Sequence, residues 1–255
     1  MAQVKAVGTA SARLSYEVVG EGPVICLIAS AGRGPWDFAG LAERLAVRGY
    51  RVLLPVPRGL GESRGPLDGI DFHDLAADVA AVVDAEGGSA IVAGHAYGCW
   101  IARTLAEDRP DLVRGLVFLA AGAERWPAEL TDAIDTASDP GAARAARIEA
   151  LRTAFFAPGH DPTGWLDGWS SDLIAAQRAA RARTDPDSWT ASGSAPILDL
   201  VGAQDPFRPA ERRSDYVERF GARVTLEVID GASHALPDER PGDVAARMDR
   251  WIAAL

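Results

Sequence analysis

SAIVAGHAYGCW, residues 89–100, passes from a short apolar strand into a helix with only a tight turn between them. Ser89 to Ala93 reads as the strand, Gly94-His95-Ala96-Tyr97-Gly98 as the turn, and Tyr97 to Asp108 as a helix ended near Pro110. A strand that leaves a Gly-x-x-x-Gly turn as a helix can hold the middle residue at a sharp apex. Glycines let the flanking backbones pack closely, and the helix N-terminus adds positive potential and free N–H groups. Enzymes place a nucleophile at such an apex, but here the apex is Ala96, whose methyl group cannot attack anything.

Outward from this turn, strand-like and helix-like segments alternate, which predicts a mainly parallel sheet covered by helices. Towards the N-terminus, Ala12 to Val19 reads as an antiparallel strand, Pro23 to Ala29 (PVICLIA) as a strand buried on both faces, and Tyr50 to Val56 as another strand. Helices are predicted at Trp36 to Arg48 and Asp71 to Glu86. In the second, Phe72, Leu75, Ala76, Val79, Val82 and Val83 share one face, and Gly87-Gly88 ends it. Towards the C-terminus, Val113 to Ala121 is a strand, after which the alternation stops. Residues 122–195 hold no strand pattern, many helix formers, and Trp126, Trp165, Trp169 and Trp189. Alternation resumes with strands at Pro196 to Gly202 and Val224 to Ile229, and helices at Arg212 to Phe220 and Gly242 to Leu255. The domain reading is one core of residues 1–121 and 196–255, interrupted by a helical cap of residues 122–195.

The bulk composition narrows the function classes. Of 255 residues, 48% are hydrophobic and 24% charged, ordinary for a soluble globule with a substantial core. Lys+Arg of 26 against Asp+Glu of 36 gives a net charge of -10, which argues against nucleic-acid binding. No apolar run approaches a membrane span, and Met1 to Lys5 has no signal-peptide character. Two cysteines, Cys26 and Cys99, are no disulfide framework, so a cytoplasmic setting is expected. The four histidines lack ligand-like spacing, and no phosphate-binding glycine loop is present, so neither a metal nor a cofactor is expected.

Two further strand ends carry chemistry. Gly202-Ala203-Gln204-Asp205-Pro206 follows a strand and offers an acid, and Gly231-Ala232-Ser233-His234-Ala235 follows the next strand and offers a base. A carboxylate on one imidazole nitrogen fixes the tautomer and frees the other nitrogen to accept a proton. The order elbow, acid, histidine resembles the α/β-hydrolase superfamily, of the lid-bearing esterase, lactonase and dehalogenase type, over essentially the whole chain. Ile28 to Phe38 (IASAGRGPWDF) is similar to the family's oxyanion loop, and Arg51 to Ser63 (RVLLPVPRGLGES) to its following strand and loop. The elbow resembles a subgroup reading Gly-His-Ala-aromatic-Gly.

The resemblance implies an α/β-hydrolase fold with an eight-stranded, mostly parallel sheet and an inserted cap. It implies a catalytic dyad of Asp205 and His234, with Ala96 at the nucleophile position, and oxyanion donors at the backbone N–H of Tyr97 and Ala31. Ser30 in the same loop is a candidate substrate contact. Trp165 and Trp169 either line the pocket or form the cap's own core. His95 is expected to pack beside the apex, Cys99 to pack on the helix, and His73 to be solvated. The sequence departs from the family pattern at Ala96, at Ala29-Ser30 where His-Gly is usual, and at Val56 where an Asp commonly stands. Several departures together favour a natural subgroup over a serine replaced to trap a substrate. With no serine the acyl-enzyme route is closed. The open readings are a base-activated water acting on a small apolar or aromatic carbonyl compound, non-hydrolytic base catalysis such as C–C cleavage, elimination or cyclisation, an inactive esterase, or a ligand-binding pseudoenzyme. The oligomeric state is not readable.

Overall fold

The computed structural model describes residues 2–255. Eight strands form one sheet: β1 (Gln3–Gly8), β2 (Arg13–Val19), β3 (Val24–Ile28), β4 (Arg51–Pro55), β5 (Ala90–His95), β6 (Val113–Leu119), β7 (Ile197–Gly202) and β8 (Val224–Ile229), in the order β1-β2-β4-β3-β5-β6-β7-β8. β2 is antiparallel to both neighbours, and the remaining pairs are parallel. β1 has no counterpart in the sequence reading. It is an edge strand whose side chains are mostly exposed, so it lacks the apolar alternation that betrays a half-buried strand.

The pleat sorts the central strands between two cores. Ile25 and Leu27 of β3 enter the cluster under α1 (Ala39–Val47), α8 (Leu236–Glu239) and α9 (Pro241–Ile252). Cys26 and Ile28 enter the opposite cluster under α2 (Phe72–Ala85) and α3 (Tyr97–Asp108). α2 starts where Asp71 accepts from the Asp74 N–H while the Asp74 carboxylate accepts from the Asp71 N–H, a reciprocal cap. It stops before Gly87 and Gly88, both at positive φ. The helix predicted from Trp36 opens instead as a 3₁₀ turn, Pro35–Phe38, with proline at its first position. α7 is also shorter than predicted, at Asp215–Phe220.

Between β6 and β7 the chain forms α4 (Ala128–Ser138), α5 (Arg144–Ala154) and α6 (Ser171–Arg183) with no strand. A third apolar cluster, including Leu130, Leu151, Phe155, Phe156 and Trp165, lies in this segment and meets Phe207 and Ala235 of the core. No helix among the described residues is long and apolar enough to cross a membrane.

Strand register brings the chemistry-bearing ends together. Ile28 pairs with Gly94, His95 with Leu119, and Gly202 with Ile229. The segments that follow β3, β5, β7 and β8 therefore emerge along one edge of the sheet, where open α/β sheets bind ligands.

Candidate active site

Ala96 is the apex of the turn and has φ 49° and ψ -109°, a conformation that costs an L-residue about 1–3 kcal/mol. The neighbours enforce it. A Cβ on Gly94 would lie 2.3 Å from the Gly98 backbone, and one on Gly98 would lie 2.3 Å from the Ile28 carbonyl oxygen. The Ala96 N–H donates to Leu119 O at 3.0 Å, and its carbonyl accepts from Cys99 N–H at 3.0 Å. Ala96 is partly exposed, whereas the residues on either side are buried. The first N–H groups of α3, Tyr97's among them, have no intrahelical acceptor.

His234 and Asp205 meet directly. His234 Nδ1 lies 3.0 Å from Asp205 Oδ2, and both side chains are buried. The Phe207 N–H donates to Asp205 Oδ1 at 2.8 Å, so the carboxylate is held at both oxygens. The loops that carry the pair are tied by Ala203 N–H to Ile229 O and Gln204 N–H to Ala232 O, each at 2.9 Å. Gly202 is required at the crossing, since a Cβ there would lie 2.4 Å from Ser233 O. An Nδ1–H donated to Asp205 leaves Nε2 unprotonated. That nitrogen has no hydrogen-bond partner among the described residues.

The histidine loop is anchored from below by Glu239, whose carboxylate accepts from Ser233 N–H and from Ala157 N–H, both at 2.6 Å. Burial raises the Glu239 carboxyl above its ordinary value. His95, beside the apex, is buried and packs as expected, but it also bonds. Its Nε2 donates to the His234 carbonyl at 2.7 Å. Burial, reinforced by the nearby His234, pushes the His95 imidazole down to about 3, so it is neutral and its tautomer is set by that bond.

The loop after β3 sits against the 122–195 segment. Gly32 N–H donates to Gln177 Oε1 at 2.8 Å and Arg33 N–H to Ser30 O at 3.2 Å, while Ala31 N–H makes no hydrogen bond among the described residues. Ser30 is buried with no base bonded to its hydroxyl, so nothing activates it for attack. The Tyr97 hydroxyl donates to Gln177 O at 3.0 Å. Trp165 is buried in the third apolar cluster, its ring 6.2 Å from that of His95, and its Nε1 donates to Asp238 Oδ2 at 2.9 Å. Trp169 is half-buried and stacks edge-on against Trp165.

Aromatic rings that the sequence reading did not single out lie beside His234. The Phe207 ring lies 4.2 Å from that of His234, and Phe155 lies 5.7 Å away. Phe207 stands two residues beyond Asp205, a position from which the loop turns it back over the imidazole; Phe155 comes from just past α5, distant in sequence. One smaller correction concerns the other candidates. His73 is not simply solvated: it hydrogen-bonds Asp108 at 2.8 Å and Ser188 at 2.9 Å, linking α2 and α3 to the segment before β7. His160 Nε2 donates to Gly231 O at 3.0 Å, at the other end of the histidine loop. Cys99 packs as expected, its thiol 2.9 Å from Gly94 O and its pKa raised by burial.

A strand-turn-helix elbow, an acid after β7 and a histidine after β8 on such a sheet define an α/β hydrolase. The chain belongs to the alpha/beta hydrolase family, whose model matches residues 27–247. It is similar to epoxide hydrolase A of Mycobacterium tuberculosis, with 25% identity over 98% of this chain and 97% of the relative. A carbendazim hydrolyzing esterase from a Nocardioides species is 32% identical over a shorter stretch, 37% of this chain and 40% of the relative. Among solved structures, E-2-(acetamidomethylene)succinate hydrolase superposes with a TM-score of 0.82 at 20% identity, covering 99% of this chain and all of that one. These are hydrolase enzymes acting on small molecules, and this chain is an enzyme of that class.

Proposed function

We propose that this enzyme hydrolyses a small apolar or aromatic carbonyl compound, an ester or a lactone, without a covalent intermediate. The observation that carries the reading is the His234–Asp205 pair: the imidazole is oriented through Nδ1 by Asp205, and its Nε2 has no hydrogen-bond partner among the described residues. An oriented imidazole has no use in a mere receptor, whereas a base needs that tautomer.

In this mechanism His234 Nε2 takes a proton from a water, and the water oxygen forms a bond to the substrate carbonyl carbon. The carbonyl electrons move onto oxygen, where the backbone N–H groups of Tyr97 and Ala31 receive the charge. When the tetrahedral carbon collapses, the C–O bond to the leaving group breaks, and the leaving oxygen recovers the proton from the imidazolium. Ala96 supplies no bond; its methyl leaves room for the attacking water at the point where a serine oxygen would stand. Phe207 and Phe155 give the base an apolar surround, which suits an apolar or aromatic substrate. The 122–195 segment is the cap over this site. An aspartate-ester route like that available to dehalogenase-type relatives is closed for the same reason as the serine route.

A panel of aryl acetates and lactones tests the reading, with the chain compared to His234→Ala and Ala96→Ser. Turnover by the unaltered chain without a burst, lost in His234→Ala, supports it. No turnover by the unaltered chain on any member, together with strong activity and a burst in Ala96→Ser, overturns it in favour of an inactive esterase.

A further inference from the structure

The geometry points to Arg33 as a positioning residue that joins the cap and the oxyanion loop into a single unit; this rests on the proposed role of the Ala31 N–H. Arg33 is 1% exposed, yet it lies two residues past Ala31 in a loop at the sheet edge. A buried guanidinium is costly unless every donor is met. Here Nε donates to Asp37 Oδ2 at 2.8 Å and Nη2 to Asp37 Oδ1 at 2.5 Å, a fork-to-fork pair within the loop. Nη1 then donates across to Asp167 O at 2.7 Å, in the cap.

The guanidinium also lies over two indole rings. Its Cζ lies 4.4 Å from the Trp165 ring centre and 4.6 Å from that of Trp169, both in the cap. Trp165 in turn bonds Asp238, four residues past His234. Two backbone contacts follow the same seam: Ser170 N–H to Gly32 O at 3.0 Å, and Gly32 N–H to Gln177 Oε1 at 2.8 Å. The cap residues 165–177 therefore meet residues 32–37 through Arg33 Nη1, two indoles over the guanidinium and both backbone groups of Gly32, while Asp37 holds the rest of the fork. Residue 31 cannot shift without opening the cap, and the cap cannot lift without displacing residue 31. A lysine would keep the charge and lose the planar fork and the stacking.

Arg33→Lys separates this role from charge alone. Two measurements are made on the full chain: hydrogen–deuterium exchange of peptides spanning 29–37 and 165–177, and binding of two probes, phenyl methylphosphonate monoanion and acetophenone. The phosphonate offers a tetrahedral oxyanion and the ketone does not. In Arg33→Lys both peptides are expected to exchange faster together, and phosphonate affinity to fall about 10- to 10²-fold while acetophenone affinity stays within about threefold. Wild-type exchange and affinity in Arg33→Lys overturn the inference, as does faster exchange in only one of the two peptides. Should the unaltered chain bind phosphonate no better than acetophenone, the oxyanion role of Ala31 falls; joint exchange of the two peptides would then still establish the coupling. If Arg33→Lys does not fold, Trp169→Leu, which removes one face of the stack at a half-buried position, carries the same measurements with the same expected outcomes.

Discussion

The imidazole Nε2 of His95 lies 2.7 Å from the carbonyl oxygen of His234. The residue flanking the elbow apex thus holds the backbone of the residue proposed as the base. The two rings are 5.7 Å apart, and the opposite nitrogen of His95, Nδ1, is buried with no partner among the described residues. Elbow and histidine loop are therefore one hydrogen-bonded assembly, although 139 residues of chain separate them.

His95 gives the protein a specific acid sensitivity. Its native pKa is about 3, while in the unfolded chain it titrates near the ordinary value of about 6.5. Between these values the unfolded state binds a proton that the native state refuses. The contribution is fully present above pH of about 6.5 and is lost as pH falls towards 3, by up to about 1.4 kcal/mol per pH unit. Urea midpoints measured from pH 7 to pH 4 should fall more steeply for the unaltered protein than for His95→Phe. Parallel curves would remove His95 as the cause.

Asp205→Asn keeps the size of the side chain and an acceptor for Phe207 N–H, but no longer selects the tautomer with Nε2 free. On any ester or lactone the enzyme turns over, kcat is expected to drop by about 10²–10⁴-fold. Product affinity, measured calorimetrically, should change little. An unchanged kcat would show that Asp205 only supports the loop.

Gly98→Ala tests the packing of the elbow. The added Cβ would stand 2.3 Å from Ile28 O and 2.8 Å from Ala29 O, both backbone atoms of β3 and its following loop. Overpacking at this point is expected to lower stability by at least about 1–3 kcal/mol and to displace the loop that carries Ala31. Thermal unfolding and turnover measured together would report it. A variant with wild-type stability would mean that β3 yields to the elbow.

Neither thiol should react in the native state. Burial pushes Cys26 up to about 12 and raises Cys99 as well, and both side chains are fully buried. At pH 8 the Cys26 thiolate fraction is then about 10⁻⁴. Titration with a disulfide reagent should find no accessible thiol in buffer and two in urea. One fast-reacting thiol in buffer would reveal an opening of the core beneath the elbow.

What the sequence determined by itself is local. The strand-turn-helix at Ser89–Asp108, the runs at Pro23–Ala29 and Pro196–Gly202, and the periodic face of α2 follow from side-chain period and glycine placement, which the chain carries in its own order. The sequence also put Asp205 and His234 just past strand ends, and the parallel sheet then had only one edge on which to assemble them. β1 escaped notice because an exposed edge strand has no buried face to pattern it. Tertiary structure alone decided the roles of His95, Phe155, Phe207 and Arg33. Each acts on a residue distant in sequence or folded back upon it, and their residue types carry no periodic signal. Nothing in the string of letters distinguishes Arg33 from a solvated arginine; only the packing of residues 165–169 against it, with Asp37 on its fork and its guanidinium over two indoles, makes its burial tolerable and gives it work to do.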